Sequence, residues 1–293
     1  MQKPVKLLIK SKENIGIIFG ALAFFIFATS DVIQKYATIN HTIFQIIFFR
    51  YLFLLIVSFI ESKRKHNKNF YKTKNIKLQL TRSLISVIET VFFVSSFKYL
   101  SLATVHSVAS LAPVFVVILS MLILKERIDK TLWVIIFFGF VGVIIILRPG
   151  FDIFDIKSLL PLGAGLFFGL YQVITKKVSE KDSDETSLFF TSIFGLIIIS
   201  GLTVYFWHPL TYSSFIILPI IGVMMTLAHY SLIIALARAP ASKIQPFHFT
   251  LIFWAIIFGY IFYGDIPDVP TFIGALFIAS SGIFVIKNQT KFN

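Results

Sequence analysis

The chain contains no cysteine, which excludes disulfide cross-links and thiol chemistry. Charge is scarce as well: 14% of residues are charged, and 27 Lys and Arg outnumber 14 Asp and Glu. Signatures of catalysis are missing. There is no Walker loop, Rossmann glycine pattern, nucleophile elbow or cluster of residues at metal-ligand spacing. The longest expected loop, residues 61–77, carries mainly Lys and Asn with one His, not the acid/base set of a lipid-modifying enzyme. These absences point away from an enzyme, from ATP-driven work within this polypeptide, and from any bound cofactor or metal.

Apolar residues take the space that charge leaves. They make up 57% of the chain, Phe alone accounts for 35 of 293 residues, and the mean hydropathy is +0.86. No soluble domain of this length has the interior to hide so much apolar surface. The net charge of +13 and isoelectric point near 9.8 would suit nucleic acid, but the basic residues fall in short loops and not on one polar face. The expected surroundings are therefore a lipid bilayer, with no nucleic-acid partner.

Ten apolar runs of roughly 18 to 24 residues each are long enough to cross a membrane. They lie near residues 14–36, 41–60, 78–97, 102–124 and 131–147, then 158–178, 186–207, 214–237, 242–263 and 269–286. All ten are expected to be helices, because a backbone in lipid must satisfy its own hydrogen bonds. The first run is too long for a secretory leader, lacks a small-x-small cleavage pattern and continues into Asp31, Gln34 and Lys35. Lys and Arg set the orientation: about 21 fall on one side and about three (Lys98, Arg148, Lys157) on the other. Both termini are expected to be cytoplasmic, in a bacterial inner membrane.

The second five runs repeat the first five. Ala103-Thr-Val-His-Ser-Val-Ala-Ser-Leu-Ala-Pro113 leads to Leu124-Lys-Glu126 and a run with Gly139 and Gly142. Ala237-Arg-Ala-Pro-Ala-Ser242 leads to Tyr263-Gly-Asp265 and a run with Gly274 and Gly282, and Gly20-Ala-Leu-Ala-Phe-Phe25 echoes Gly163-Ala-Gly-Leu-Phe-Phe168. Five is odd, so the second copy must enter the membrane from the opposite side. The expected architecture is all-α: ten transmembrane helices as two inverted five-helix repeats, 14–148 and 158–287.

These motifs resemble the EamA family of the drug/metabolite transporter superfamily over essentially the full chain. Ala239-Pro-Ala-Ser242, Gly264-Asp265 and Gly274 match its recurring pattern, with Asp265 in place of the more usual Glu, and Phe48-Phe-Arg50-Tyr51 resembles its helix-two element. Asp31-Val-Ile-Gln-Lys35-Tyr36, taken with that element, is similar to the branch of S-adenosylmethionine uptake transporters. The resemblance implies a secondary carrier of small polar metabolites with a cavity among its central helices. Exporters of amino acids or cationic drugs and riboflavin-type carriers are the alternatives. A membrane enzyme and a non-transporting assembly subunit are the competing classes. Monomer and dimer both fit.

Ionisable groups inside spans are costly, so function is sought there first. Arg50 and Glu89 sit at a similar depth, about 12 to 14 Å below the outer ends of helices two and three, and Asp31 is shallower but within reach of Arg50. Either Glu89 or Asp31 answers a cationic group or a proton while Arg50 answers a carboxylate, or Arg50 and Glu89 form a permanent structural bridge. The second half supplies Tyr171, Gln172, Thr175, His229, Tyr230, Gln245, His248 and Trp254 as further candidate substrate-binding residues. For His248 the plain alternative is a helix-to-helix hydrogen bond, and for Trp254 ordinary packing. Arg82, about one turn from the cytoplasmic end, is expected to snorkel to the interface. Pro113, Pro161 and Pro246 are expected to bend their spans. Glu126 and Asp265 are read as caps or gate contacts with Lys125 or loop groups.

Overall fold

The computed structural model describes residues 3–66, 68–125, 130–147, 156–277 and 280. Glu126, Arg127, Arg148, Gly282, Lys287, Lys291 and the end of the tenth expected span lie outside the described residues. Those described are helical, with no strand among them. The helices are α1 (Lys3–Ala37), α2 (Ile43–Arg64), α3 (Ile76–Phe97), α4 (Leu102–Ala109), α5 (Ala112–Leu119), α6 (Lys130–Leu147), α7 (Leu159–Ser179), α8 (Asp184–Tyr205), α9 (Ser214–Arg238), α10 (Ala241–His248) and α11 (Thr250–Tyr263). Eight stretches are long and apolar enough to span a bilayer: Lys12–Ala37, Ile43–Arg64, Ile76–Phe97, Leu102–Leu124, Ile156–Ser179, Asp184–Tyr205, Ser214–Arg238 and Lys243–Tyr263. They coincide with eight of the expected spans. Across the other two, α6 and residues 269–277 are helical.

Local chemistry starts and stops these helices. Thr42 caps α2 through a reciprocal pair with Gln45, while Asn75, Ser101 and Ser183 cap α3, α4 and α8. Each satisfies a backbone N–H that the first helical turn leaves open. Gly264 ends α11 in the left-handed region at φ 66°, where the absence of a Cβ removes the steric cost. The fourth span is broken at Ser110 and Leu111, with Pro113 in the first turn of α5, and ends in a π-helical turn, Ser120–Leu124. The ninth span breaks at Phe249, three residues after Pro246, between α10 and α11. Pro161 starts α7 instead of bending it, because a proline in the first turn removes no helical hydrogen bond.

The bundle encloses polar and charged groups within an apolar core and is apolar outside. Asp31, Gln34, Arg50, Arg82, Glu89, His106, His229 and His248 are buried, whereas Phe137, Ile197, Leu227, Phe253 and Tyr260 are exposed. An apolar outer surface of this extent is matched by lipid, not water. The principal packing pairs are α1 with α9, α3 with α7, and α2 with α8; α4 also meets α11, and α5 meets α10. Close approach depends on glycine: a Cβ at Gly16 of α1 would lie 2.8 Å from Cβ of Ala239, and one at Gly165 of α7 would lie 3.0 Å from the carbonyl oxygen of Ala109. Small residues at such crossings are how helices pack tightly in lipid.

Candidate functional site

A cavity inside the bundle is lined by side chains from α1, α2, α3, α4, α7, α9, α10 and α11. Asp31, Arg50, Glu89, His106, His229 and His248 supply its polar groups, and Phe27, Phe93 and Phe168 its rings. The space open to the centres of water-sized molecules is about 40 Å³, enough for roughly three waters. Helices must part before a larger solute enters.

Each charged group meets a partner from a distant part of the chain or from its own helix. Asp31 Oδ2 lies 3.2 Å from Nε2 of His106, and Asp31 Oδ1 accepts a 2.6 Å hydrogen bond from Nε2 of Gln34. Arg50 donates Nη2 to Nε2 of His229. That nitrogen must offer a lone pair, so the His229 proton sits on Nδ1, which has no partner among the described residues. Glu89 Oε2 accepts a 3.0 Å bond from Thr90 Oγ1, and its carboxylate borders the cavity. No ion pair within 4 Å joins Arg50 to Glu89 among the described residues. Phe27 packs edge-on to His229 at 5.1 Å, and Phe24 edge-on to His248 at 5.1 Å.

The other expected residues take different places. Tyr171, Gln172, Thr175 and Gln245 are buried one layer from the cavity, with Nε2 of Gln245 donating to Oε1 of Gln172 at 3.0 Å. Tyr230 points to the lysine-rich end, where its hydroxyl donates to Oε2 of Glu61 at 3.1 Å. Trp254 is half-buried, packs against Phe25 and Phe258 and does not line the cavity. His106, which the sequence shows only as part of the repeat motif, joins the cavity lining, and an imidazole inside an apolar run carries the same signal as Glu89. Arg82 corrects its expectation. It is fully buried, not snorkelled, and Nη2 donates to Gln79 Oε1 at 2.9 Å, to Thr191 Oγ1 at 2.6 Å and to the Ser187 carbonyl.

Polar contacts close the bundle at both ends. At the lysine-poor end Lys35 Nζ donates to the Leu100 carbonyl at 2.7 Å and lies 3.8 Å from Asp265, while Tyr263 donates to the Val32 carbonyl at 2.5 Å. Asp265 thus faces Lys35. At the lysine-rich end Lys65 pairs with Glu185, Arg238 with Asp184 at 3.1 Å and Lys243 with Glu13 at 2.5 Å, while Arg64 pairs with Glu61 within α2 at 2.8 Å. Burial penalises the charge on Lys65, but its hydrogen bonds to Glu185 and Tyr230 outweigh that penalty and hold its pKa above the ordinary lysine value.

Comparison with known proteins agrees with this construction. An "S-adenosylmethionine uptake transporter" of Rickettsia bellii is 27% identical over 282 residues, 95% of each chain. A "Riboflavin transporter" of Vibrio cholerae is 32% identical over 185 residues, 61% of each chain. One solved crystal structure shares the fold with a TM-score of 0.72 at 14% identity, over 97% of this chain and 99% of the other. The profile of the EamA-like transporter family matches residues 14–148 and 156–287, and with nearly the whole chain covered, the protein belongs to that family of membrane transporters.

Proposed function

We propose that the protein is a secondary carrier that exchanges or takes up S-adenosylmethionine, or a closely similar amphoteric, ring-bearing metabolite, across a bacterial inner membrane. The observation that carries this reading is the joint presence of Asp31, Glu89 and Arg50 with Phe27, Phe93 and Phe168 around one cavity. Carboxylates suit a sulfonium and an ammonium group, a guanidinium suits a carboxylate, and aromatic faces suit an adenine. The names of several relatives favour the same substrate.

The proposed architecture is ten spans in two inverted halves, 14–148 and 158–287, with both termini cytoplasmic and the lysine-rich end therefore facing the cytoplasm. The helix pairing supports it. Exchanging the halves turns the α1 and α9 pair into the α7 and α3 pair and leaves the α2 and α8 pair unchanged. The fourth and ninth spans, equivalent under that exchange, are both interrupted and pack on each other. Rocking of such halves exposes a central site to each side in turn.

The test is counterflow. Proteoliposomes preloaded with unlabelled S-adenosylmethionine are given labelled compound outside, with Glu89→Gln protein alongside. Accumulation by the wild type that the variant loses supports both the substrate and the carboxylate. If neither moves label while a control carrier works, the substrate assignment fails. Riboflavin, named in two relatives and suited to the same aromatic lining, is then the next compound, followed by amino acids.

A further inference from the structure

Arg82 is fully buried in the bundle, yet no carboxylate lies within 4 Å of it among the described residues. Asp182, linked to Arg82 through Gln79, is already occupied: it accepts hydrogen bonds from Thr73 at 2.5 Å, the backbone N–H of Lys74 at 3.0 Å and Gln79 at 2.8 Å. All the hydrogen bonds of Arg82 leave from Nη2. Nε and Nη1 meet no acceptor, so two of the three guanidinium nitrogens are turned into the protein without a hydrogen-bond partner. A buried guanidinium without a counter-charge is costly, and a helix-to-helix tie is made as well by a neutral residue.

Its position gives these donors a use. Arg82 and Glu89 are i and i+7 on α3, two turns apart on one face and about 10 Å along the axis. The stripe that lines the cavity therefore continues through Arg82 towards the lysine-rich end. Between them stands Tyr171: its ring is 5.9 Å from the Arg82 guanidinium on one side, and 5.9 Å from His229 and 6.4 Å from Phe168 on the other. His229 and Phe168 are cavity residues, so one aromatic ring separates the cavity from the unused donors. Gln172 and Gln245, also buried beside it, leave Nε2 and Oε1 unpartnered in turn.

We propose that Arg82 is a second binding station on the solute path, which receives the carboxylate of the amphoteric solute after it passes Tyr171 from the central cavity towards the lysine-rich end. This rests on the carrier reading above. Arg50 serves the carboxylate in the cavity, and Arg82 serves it when the α3 and α8 contact at that end loosens. That loosening frees Nη2 from Ser187 and Thr191, and Nη2 together with the unpartnered Nε–H then presents the edge that takes a carboxylate in bidentate geometry.

The test compares two probes in proteoliposomes of the full chain: S-adenosylmethionine and its decarboxylated analogue, which keeps the ring, sulfonium and amine. The readouts are exchange rate and equilibrium binding in detergent. Loss of a charge-assisted hydrogen bond predicts that Arg82→Gln exchanges S-adenosylmethionine about tenfold more slowly, with the decarboxylated compound unaffected. Binding of both probes stays within about twofold, because the cavity itself is untouched. Arg82→Lys, which keeps charge but not the fork, is expected to show a smaller selective loss, about threefold. It decides the question if Arg82→Gln does not insert. Equal slowing of both probes, or no selective change, overturns the station and leaves the carrier reading intact. A wild type that moves neither probe overturns the substrate reading and this inference with it.

Discussion

Arg50 of α2 hydrogen-bonds through Nη2 to Nε2 of His229 on α9, a contact across 179 residues of sequence. The imidazole is the acceptor that keeps a guanidinium oriented at the cavity wall. His229→Ala removes it, and transport is expected to fall by about ten- to a hundredfold, the scale of one hydrogen bond to a charged group. His229→Gln, whose side-chain oxygen also accepts, is expected to retain most of the rate. Initial uptake rates of the two variants at equal reconstituted protein decide it. Equal loss in both assigns the imidazole a role beyond orienting Arg50.

Glu89→Gln is expected to abolish exchange while leaving thermal stability unchanged or slightly raised. The amide is nearly isosteric, still accepts from Thr90, and carries no charge to desolvate. A lowered melting temperature with exchange intact would place Glu89 among the structural groups.

The contacts of Lys35 with Leu100 and Asp265 hold α1 to the far ends of α3 and α11. Lys35→Met is expected to favour opening at that end. The natural absence of cysteine makes a single Phe93→Cys reporter in the cavity wall free of background. Its labelling by a membrane-impermeant maleimide applied from that side should accelerate about fivefold, the equivalent of one lost hydrogen bond of ~1 kcal/mol. An unchanged rate would show that the contact is not a latch.

Gly165→Val should separate α7 from α4, because even a Cβ there meets the Ala109 carbonyl at 3.0 Å. Overpacking of this kind costs about 1 to 3 kcal/mol. A fall in the detergent melting temperature with loss of uptake is expected, and normal behaviour would mean that the crossing relaxes easily.

At the opposite end Glu185→Gln tests the Lys65 pair. Lys65 is 37% exposed, so solvent screens the interaction and the expected loss is at most about 1 kcal/mol in thermal unfolding. The raised pKa of Lys65 gives this contribution its sign: it is complete below the unfolded lysine value and disappears only as pH rises through the higher folded one. Between pH 6 and 8 the wild-type stability from this pair is therefore expected to be flat.

Much of this was legible in the residues. Span positions follow from apolar run length, and Ser101, Ser183 and Thr42 mark helix starts in plain sequence. Asp31, Arg50 and Glu89 stand out because ionisable groups are rare and expensive in lipid, His229 and His248 as hydrogen-bonding rings inside apolar runs, and all five line one cavity. The partners were not legible. Arg50 and Glu89 share a depth, which suggested a bridge, but depth says nothing about rotation about the helix axis. Rotation turns Arg50 to His229 and Asp31 to His106.

Arg82 shows the same division. Its distance from the helix end is a local quantity and permits snorkelling, whereas α8 packs close enough for Thr191 and Ser187, more than 100 residues away, to capture it inside. The sequence by itself determined which segments are helical, how long they are and which few groups they carry into lipid, since run length, capping and transfer cost are properties of short stretches. Only the tertiary structure decided which face of each helix turns inward, because that depends on shape and hydrogen-bond matching between segments remote in the chain.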